Sequence, residues 1–213
     1  QLIFVGKNYC IGSQTIPIRV VGDLKNVEVI NVNDQYDYTG KQIKPTPIVQ
    51  FGSQVLEEGE DYTIEYGNNV DVGTNSGSIV IRQVSGTDTY YTGSKTARFN
   101  IYYNLSKATV TGLNDTYSYT GSEVKPIPQV TCAGKVLQEG GDYSLTYTNN
   151  IDAGTASVVI NSIDGASIGN QVVNFEIKGI NLADPGMNIT LDGQLSGLTT
   201  TYTGDYIQPN VVV

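Results

Sequence analysis

The sequence predicts an all-β protein built from tandem copies of a small antiparallel β-sandwich. Three observations support this prediction: a long motif that recurs along the chain, polar–apolar alternation with a period of two, and turn residues between short segments. Signals for α-helices are nearly absent. A sandwich of this kind exposes half of each strand to water, which agrees with an apolar content of 39%.

The recurring motif contains the tripeptide Tyr-Thr-Gly, whose copies at 38–40, 119–121 and 202–204 are almost evenly spaced. Two longer segments align without a gap at the offset between the first two copies: residues 36–50 with 117–131, and residues 56–74 with 137–155. The closing segment 89–101 aligns with residues 8–20 at the same offset, and with 168–177 after a slight shortening. Self-similarity of this length is typical of repeat architectures.

These alignments predict the domain boundaries. Residues 1–23 are the tail of a preceding repeat, 24–103 and 104–180 are complete repeats, and 181–213 are the head of a following one. A chain that starts and stops within a repeat is expected to be a window onto a longer array. The alternative is that the chain is a filament subunit, in which the C-terminal partial repeat of one copy and the N-terminal partial repeat of the next together partly complete a domain.

Strands are predicted from alternation inside each repeat. Tyr62, Ile64 and Tyr66 alternate with polar residues, and Tyr143, Leu145 and Tyr147 do the same at the equivalent positions of the next copy. About seven short strands per repeat, separated by turn signals, favour a small antiparallel sandwich. The Lys-Pro pairs at 44–45 and 125–126 are expected to open edge strands, where a missing N–H donor is tolerated.

The order of motifs within each copy resembles that of a known family. It consists of Tyr-Thr-Gly, a proline-led strand, Leu-x-x-Gly-x-Asp-Tyr-x-x-x-Tyr-x-Asn-Asn, Gly-Thr and a closing Phe-x-Ile. It is similar to the immunoglobulin-like repeats of large bacterial surface proteins, and related modules occur on phage particles. The resemblance covers both complete and both partial repeats. It departs at Gln208, where the other copies have Lys44 and Lys125. It implies an extracellular stalk or adhesin arm, sometimes with glycan-binding roles.

Composition excludes several function classes. The net charge of -9 disfavours nucleic acid and anionic membranes as partners. No apolar run reaches the length of a membrane-spanning helix, so no membrane insertion is expected in this segment. The chain has no histidine, which rules out Ser-His and Cys-His nucleophiles and the common zinc sites. We therefore predict a protein that is not an enzyme, with no catalytic residue, no metal site and no cofactor.

Two sets of residues are possible chemical sites. Glu57, Glu58, Glu60 and Asp61, with Asp71 and Asp152 in later loops, could supply oxygen ligands to calcium, but no Asp-x-Asp-x-Asp-Gly loop is present. A solvated acidic hairpin is the favoured interpretation. Lys44 and Lys125 could form an intramolecular Lys–Asn crosslink, but the matching last-strand positions hold Asn100 and Glu176. Simple edge charges are favoured for these lysines.

Recurring tyrosines and asparagines have both structural and binding interpretations. Tyr36, Tyr38, Tyr62, Tyr66 and their copies could stack on sugars, but alternation favours core packing for Tyr62 and Tyr66. One member of each pair Tyr90-Tyr91 and Tyr102-Tyr103 is expected to be exposed, and these are the best candidates for a contact surface. The Asn-Asn pairs at 68–69 and 149–150 are interpreted as left-handed turns.

The two cysteines, Cys10 and Cys132, fall in different predicted repeats, so no disulfide is expected between them, and Cys132 is predicted to be a buried free thiol. Sequons at Asn104, Asn114 and Asn188 would matter only in a glycosylating host.

Three function hypotheses follow: a non-catalytic stalk or adhesin arm of an extracellular surface protein, a glycan- or protein-binding module, and a subunit of an extracellular filament. The expected partners are neighbouring repeats of the same chain, with a glycan or host surface protein, or further copies in a homopolymer, as alternatives.

Overall fold

The computed structural model describes residues 2–5, 13–16, 18–86, 89–181, 190–191 and 211–212. In this part of the chain the only helical elements are two 3-10 turns, η1 (Leu24–Asn26) and η2 (Leu105–Lys107). All other regular structure is β, so the predicted all-β class is confirmed. No helix among these residues is long and apolar enough to cross a membrane.

The strands up to the end of the first predicted complete repeat are β1 (Leu2–Val5), β2 (Ser13–Ile16), β3 (Gly22–Asp23), β4 (Glu28–Ile30), β5 (Gln35–Asp37), β6 (Ile48–Phe51), β7 (Gln54–Val55), β8 (Tyr62–Tyr66), β9 (Gly73–Gln83), β10 (Tyr91–Thr92) and β11 (Ser94–Asn104). The remaining strands are β12 (Thr109–Thr111), β13 (Thr116–Ser118), β14 (Gln129–Cys132), β15 (Lys135–Val136), β16 (Tyr143–Thr148), β17 (Gly154–Ser162), β18 (Ser167–Ile168), β19 (Asn170–Lys178), β20 (Thr190–Leu191) and β21 (Val211–Val212).

Two sheets and η1 enclose one core in the segment from η1 to β11. The first has the order β4-β6-β7 with antiparallel neighbours. In the second, β9 lies between β8 and β11 in antiparallel register, and β5 adds to β11 in parallel. Both sheets contribute to a single buried cluster, which gives this region its sandwich-like character: Leu24, Val27, Val49, Leu56, Tyr62, Ile79, Ile81, Tyr91, Phe99 and Ile101.

Alternation along the strands selects which side chains enter this core. In β9, Ile79 and Ile81 are fully buried, whereas the intervening Val80 is only half-buried. Full burial of an isoleucine side chain stabilises the fold by about 1.5–3 kcal/mol. In β8, Tyr62 is buried and Thr63 and Glu65 are exposed, as the period of two requires.

The same order of elements recurs from β12 to β19. A sheet of order β12-β14-β15 is followed by one of order β13-β19-β17-β16, again with β13 parallel to its neighbour β19. Buried apolar side chains recur in β14, β17 and β19. The boundaries at 24–103 and 104–180 stay a prediction, as does the assignment to immunoglobulin-like tandem domains.

The proline segments differ from expectation, because Pro45 and Pro126 do not open strands. The strands begin at Ile48 and Gln129, directly after Pro47 and Pro128. Two prolines separated by one other residue remove two N–H donors, so the segment cannot join a ladder until both have passed. Its carbonyls are used by side chains instead, since the Tyr66 hydroxyl donates to the Pro45 carbonyl at 3.0 Å.

Short parallel pairings occur at two equivalent places along the chain. β3 pairs with β10 through Gly22↔Tyr91 and Thr92↔Asp23, and β11 pairs with β18 through Tyr103↔Ser167 and Asn104↔Ile168. In each case the first strand leads directly into a 3-10 turn, η1 or η2, whose leucine is fully buried. No linker separates the strand from the turn that follows it.

The chain divides into two compact units. The first consists of residues 1–112, 128–146 and 159–171, and the second of residues 113–127, 147–158 and 172–213. The first contains the core described above. In the second, the Tyr117 ring meets Phe175 edge-on at a centroid distance of 5.2 Å. The predicted head 181–213 lies largely outside the described residues, and so does part of the predicted tail 1–23. Cys10, Asn188, Gln208 and the Tyr-Thr-Gly at 202–204 also lie outside them.

Candidate functional site

An open groove in the first unit combines charged, polar, aromatic and thiol side chains. Its volume is about 340 Å³, and its lining residues are Asp37, Tyr38, Thr39, Asn104, Lys107, Cys132 and Ala133. We refer to this feature as the Asp37 groove. It is the best candidate for a site within the described part of the chain, because it brings together groups that are far apart in sequence.

Ends of secondary-structure elements position these side chains. Asp37 is the last residue of β5, Asn104 the last of β11 and Lys107 the last of η2. Cys132 ends β14, and the hairpin to β15 then turns through Ala133 and Gly134, which have φ of 46° and 84°. Two successive left-handed residues match the right-handed twist of a hairpin, so this turn presents Ala133 at the rim of the groove.

The Asp37 carboxylate is held by two donors from beyond the end of its own strand. Asn104 Nδ2 donates to Oδ1 at 3.0 Å, and Lys107 Nζ donates to Oδ2 at 2.7 Å. Partial burial alone would raise the pKa of Asp37, but the hydrogen bonds from Lys107 and Asn104 outweigh it and hold that pKa below its ordinary value. These three residues therefore form a charge-assisted link from β5 to the end of β11 and to η2.

We expect Asp37→Asn to cost about 0.2–1 kcal/mol of unfolding free energy at pH 7, the range for a partly exposed ion pair. Because the folded-state pKa is lowered, the contribution is complete above the unfolded value of 3.8 and is lost as pH falls through the folded value. Urea unfolding at pH 7 and near pH 2 should show a difference from wild type only at pH 7. Glu28→Gln is the control, because Glu28 is exposed, and its difference from wild type should be the same at both pH values. An equal cost of Asp37→Asn at both pH values would contradict the link.

Aromatic contacts form the wall behind this link. The Tyr38 and Tyr103 rings meet edge-on at a centroid distance of 5.0 Å, and Lys135 Nζ lies 5.4 Å from the Tyr103 ring centroid. A hydrogen bond from Lys135 to Tyr103 raises the pKa of Lys135, which stays protonated at neutral pH. Tyr103 is buried, so it supports the groove from behind through its contact with Tyr38, which lines the groove.

Cys132 is free and buried, as the sequence predicted. Its Sγ donates to the Asn104 carbonyl at 3.7 Å. Burial raises the pKa of the thiol, and the charges of Asp37 and Asp142 raise it further. The thiolate is the reactive form, so this environment suits packing better than nucleophilic chemistry.

Two of the acidic residues considered for calcium, Asp61 and Asp71, accept hydrogen bonds within their own turns. Asp61 Oδ2 accepts the Glu57 N–H at 3.0 Å, and Asp142 Oδ2 accepts the Gln138 N–H at 2.9 Å, so each closes its own turn. Asp71 accepts from the Asn68 amide at 2.7 Å. Asp152 lines a separate open depression of about 300 Å³ in the second unit. Among the described residues, no cluster of three potential metal ligands occurs.

The lysines considered for a crosslink have other neighbours. Lys44 Nζ lies 5.6 Å from the Tyr66 ring centroid, and Lys125 pairs with Glu123 at 2.7 Å. Asn100 Oδ1 accepts the Asn75 N–H at 2.8 Å, and Glu176 accepts from the Thr155 hydroxyl. These contacts fit the interpretation as edge charges.

The tyrosine predictions are confirmed for the core and only in part for the surface. Tyr62 is buried, and Tyr66 packs against the same core with its hydroxyl bonded to a backbone carbonyl. Tyr90 is 74% exposed, beside the buried Tyr91. One member of the pair Tyr102-Tyr103 was expected to be exposed, but Tyr103 is buried and Tyr102 is half-buried, with its hydroxyl 3.2 Å from the Thr74 hydroxyl.

Tyr36 and its copy Tyr117 each serve the backbone of a nearby loop. The hydroxyl of Tyr36 accepts the Asn33 N–H at 3.0 Å, and that of Tyr117 accepts the Asn114 N–H at 2.9 Å. In addition, the Tyr36 ring packs partly against the core. These hydrogen bonds explain why tyrosine occurs at both positions, so no bound sugar is needed to account for it.

The asparagine pairs do more than turn the chain. Asn69 and Asn149 are left-handed, with φ of 51° and 53°, as the turn interpretation predicts. However, Asn69 is also fully buried and bonds to two other segments, Ile43 and Ser78. Asn150 likewise donates to the Val124 carbonyl at 3.2 Å. The sequence did not predict this buried role, although the recurrence of the Asn-Asn pair at the repeat offset is a signal for it.

The Asp37 groove was missed for a different reason. Its ion pair joins residues 70 positions apart, and the position that matches Asp37 in the next copy is Ser118. No repeated pattern could therefore reveal it. The sequon residue Asn104 was noticed, but its side chain donates to Asp37.

Comparison with protein-family models, with curated proteins and with solved structures returned no match to this chain.

Proposed function

We propose that this chain is part of a tandem array of immunoglobulin-like β-sandwich repeats that acts as a non-catalytic stalk or adhesin arm of an extracellular surface protein. The observation that carries this proposal is the recurrence of the elements. From η1 to β11 and again from η2 to β19, the same strands follow in the same order, with one of the short parallel pairings leading into each series.

The way the first series leads into the second supports a spacer function. β11 runs without interruption from Ser94 to Asn104, and η2 begins at the next residue. The Asp37–Lys107 pair and the Tyr38–Tyr103 contact hold this connection from the side. A connection with no loop residues between β11 and η2, and with contacts from β5, suits a component that holds other domains at a distance.

The polar groups of the Asp37 groove are also engaged with one another. Asp37 accepts from both Asn104 and Lys107, and Cys132 is a buried thiol with a raised pKa. This arrangement supports a structural role for the groove and gives no acid–base pair or activated nucleophile for catalysis.

Excision of one repeat tests the array. Deleting residues 24–104 removes one full repeat length and joins Asp23 to Leu105, the counterpart of Leu24. We expect the shortened chain to unfold cooperatively with a midpoint close to that of the parent, because equivalent elements replace those removed. Deleting residues 24–64 is the control and should abolish the cooperative unfolding of the first series, because it removes β4 to β7 and the first three residues of β8.

The stalk is tested by adding copies of residues 24–104. Small-angle scattering should show a maximum dimension that grows by a constant increment with each added copy. A dimension that stays constant as copies are added would overturn the spacer, and loss of folding in the excised chain would overturn the repeat itself.

A binding module is the second candidate, and one observation favours it. Tyr90 exposes 74% of its surface, and an exposed aromatic ring is a common platform for sugars and protein partners. A glycan array probed with the chain and with Tyr90→Ala would test this candidate. A signal that the variant loses supports a binding role, and equal signals from both chains would count against Tyr90 as its basis.

A further inference from the structure

Parallel pairing joins the first and last strands of the sheet in each series of elements. β5 pairs with β11 through Asn100↔Gln35, Ile101↔Tyr36 and Tyr102↔Asp37. The ladder is closed by the Asn100 N–H, which donates to the Asp34 carbonyl at 2.8 Å, and by the Tyr38 N–H, which donates to the Tyr102 carbonyl at 2.8 Å. β5 is reached from the N-terminal side of the series, and β11 leaves it on the C-terminal side.

This topology fixes the direction in which tension would load the ladder. Pulling the chain from both ends draws β5 toward its own N-terminus and β11 toward its own C-terminus. In a parallel pair these two ends lie at opposite ends of the ladder, so the force acts along the strands. The hydrogen bonds then share the load and must break together, whereas an antiparallel hairpin pulled at its open end breaks one bond at a time.

The second series of elements has the same arrangement, so the parallel ladder is a recurring feature of the chain. Within the second unit, β13 pairs with β19 through Thr116↔Glu176 and Ser118↔Lys178. The Glu176 N–H donates to the Asp115 carbonyl at 2.9 Å, and the Tyr119 N–H donates to the Lys178 carbonyl at 2.9 Å. The two closing bonds therefore recur at matching positions in two separate stretches of the chain.

β11 continues the load path beyond the first ladder. Its last two residues, Tyr103 and Asn104, pair in parallel with β18, and the Tyr103 N–H donates to the Ala166 carbonyl at 3.1 Å. The Asp37 carboxylate adds a side-chain tie between β5 and η2 at the same end. One strand thus engages β5 and then β18, both in parallel.

We propose that the chain bears tension along its length, and that the β5–β11 and β13–β19 ladders carry that tension. This inference rests on the proposed function, because only a chain within an array is pulled from both ends. It adds to that function a resistance to force that a passive spacer does not need.

The test compares two pulling directions in one folded protein. In a chain with Cys10→Ser and Cys132→Ala, paired attachment cysteines replace exposed residues. Asn33→Cys with Ser106→Cys places the handles beside β5 and beyond β11, so the ladder is sheared. Gln35→Cys with Thr63→Cys places them on β5 and β8, at opposite edges of one sheet, so the strands are peeled apart.

Single-molecule force spectroscopy at one pulling speed should give an unfolding force at least about twofold higher for the shearing pair, because forced unfolding follows the barrier along the pulled direction. Equal urea midpoints for the two double-cysteine chains would show that stability does not account for the difference. A third chain with Asp37→Asn in the shearing pair should unfold at a lower force than its parent.

Equal unfolding forces in the two directions would overturn the inference that the parallel ladders carry tension. The excision of residues 24–104 reports separately on the array: a folded excised chain together with equal forces leaves the array standing and removes only the mechanical role. An excised chain that fails to fold removes the proposed function, whatever the force measurement shows.

Discussion

Replacing Asn69 by alanine is expected to lower the unfolding free energy by about 3 kcal/mol, a large loss for one small side chain. The Asn69 side chain is fully buried and makes three hydrogen bonds to the backbone. Its Nδ2 donates to the Ile43 and Ser78 carbonyls at 2.9 and 3.0 Å, and its Oδ1 accepts the Ser78 N–H at 2.7 Å. It therefore links the proline segment before β6 to β9.

The size of the effect follows from the buried backbone groups that would lose their hydrogen-bond partner if residue 69 were alanine. The Ser78 carbonyl keeps a second donor, the Gly67 N–H at 2.9 Å, but the Ser78 N–H and the Ile43 carbonyl each lose the bond that Asn69 makes. A buried polar group left without a partner costs about 1–3 kcal/mol. Alanine also tolerates the left-handed conformation of residue 69 less well than asparagine does.

Urea denaturation, with hydrogen exchange of residues 62–83 to locate the loss, would measure this effect. Asn68→Ala is the matched control, because Asn68 is exposed and its side chain donates to the exposed loop residue Asp71 at 2.7 Å. We expect that control to stay within about 0.5 kcal/mol of the parent. A similar cost for both variants would show that the turn, and not the buried side chain, is what matters.

Phe99→Ala is the second large effect, with an expected loss of about 3–5 kcal/mol. The Phe99 ring is 1% exposed and meets Tyr36 edge-on at a centroid distance of 4.8 Å. On its other side it lies directly on the backbone of Gly77, where an added Cβ would overlap the ring. Removing the ring leaves a cavity that β9 and β5, each held in its own ladder, cannot readily close.

The contact with Gly77 provides a sharper measurement than the single substitution. Gly77→Ala should destabilise the chain by about 1–3 kcal/mol, because the methyl group forces the ring to move. In a Phe99→Ala background the same methyl group should cost less, or stabilise, since it enters vacated space. Urea unfolding of the four chains in this cycle gives the coupling, and additive costs would contradict the predicted overlap.

Local patterns in the sequence determined the fold class and much of the core. Alternation placed Tyr62 and Tyr66 on the inner face of a strand, and the burial of Tyr62 and the core packing of Tyr66 follow. The period of two is a property of the extended backbone, so it can be recognised wherever a strand has one buried and one solvent-exposed face. The regular recurrence of the motif similarly predicted which elements would occur twice.

Tertiary structure alone decided the contacts that connect distant segments. The Asp37 groove requires β5, β11 and β14 to end close together, and the Asn69 links depend on which residue of β9 lies opposite the asparagine turn. Neither relation leaves a periodic trace in the sequence, because each depends on the register between elements. The strand starts after Pro47 and Pro128 were misjudged for a related reason: a missing N–H matters only once the partner strand is in place.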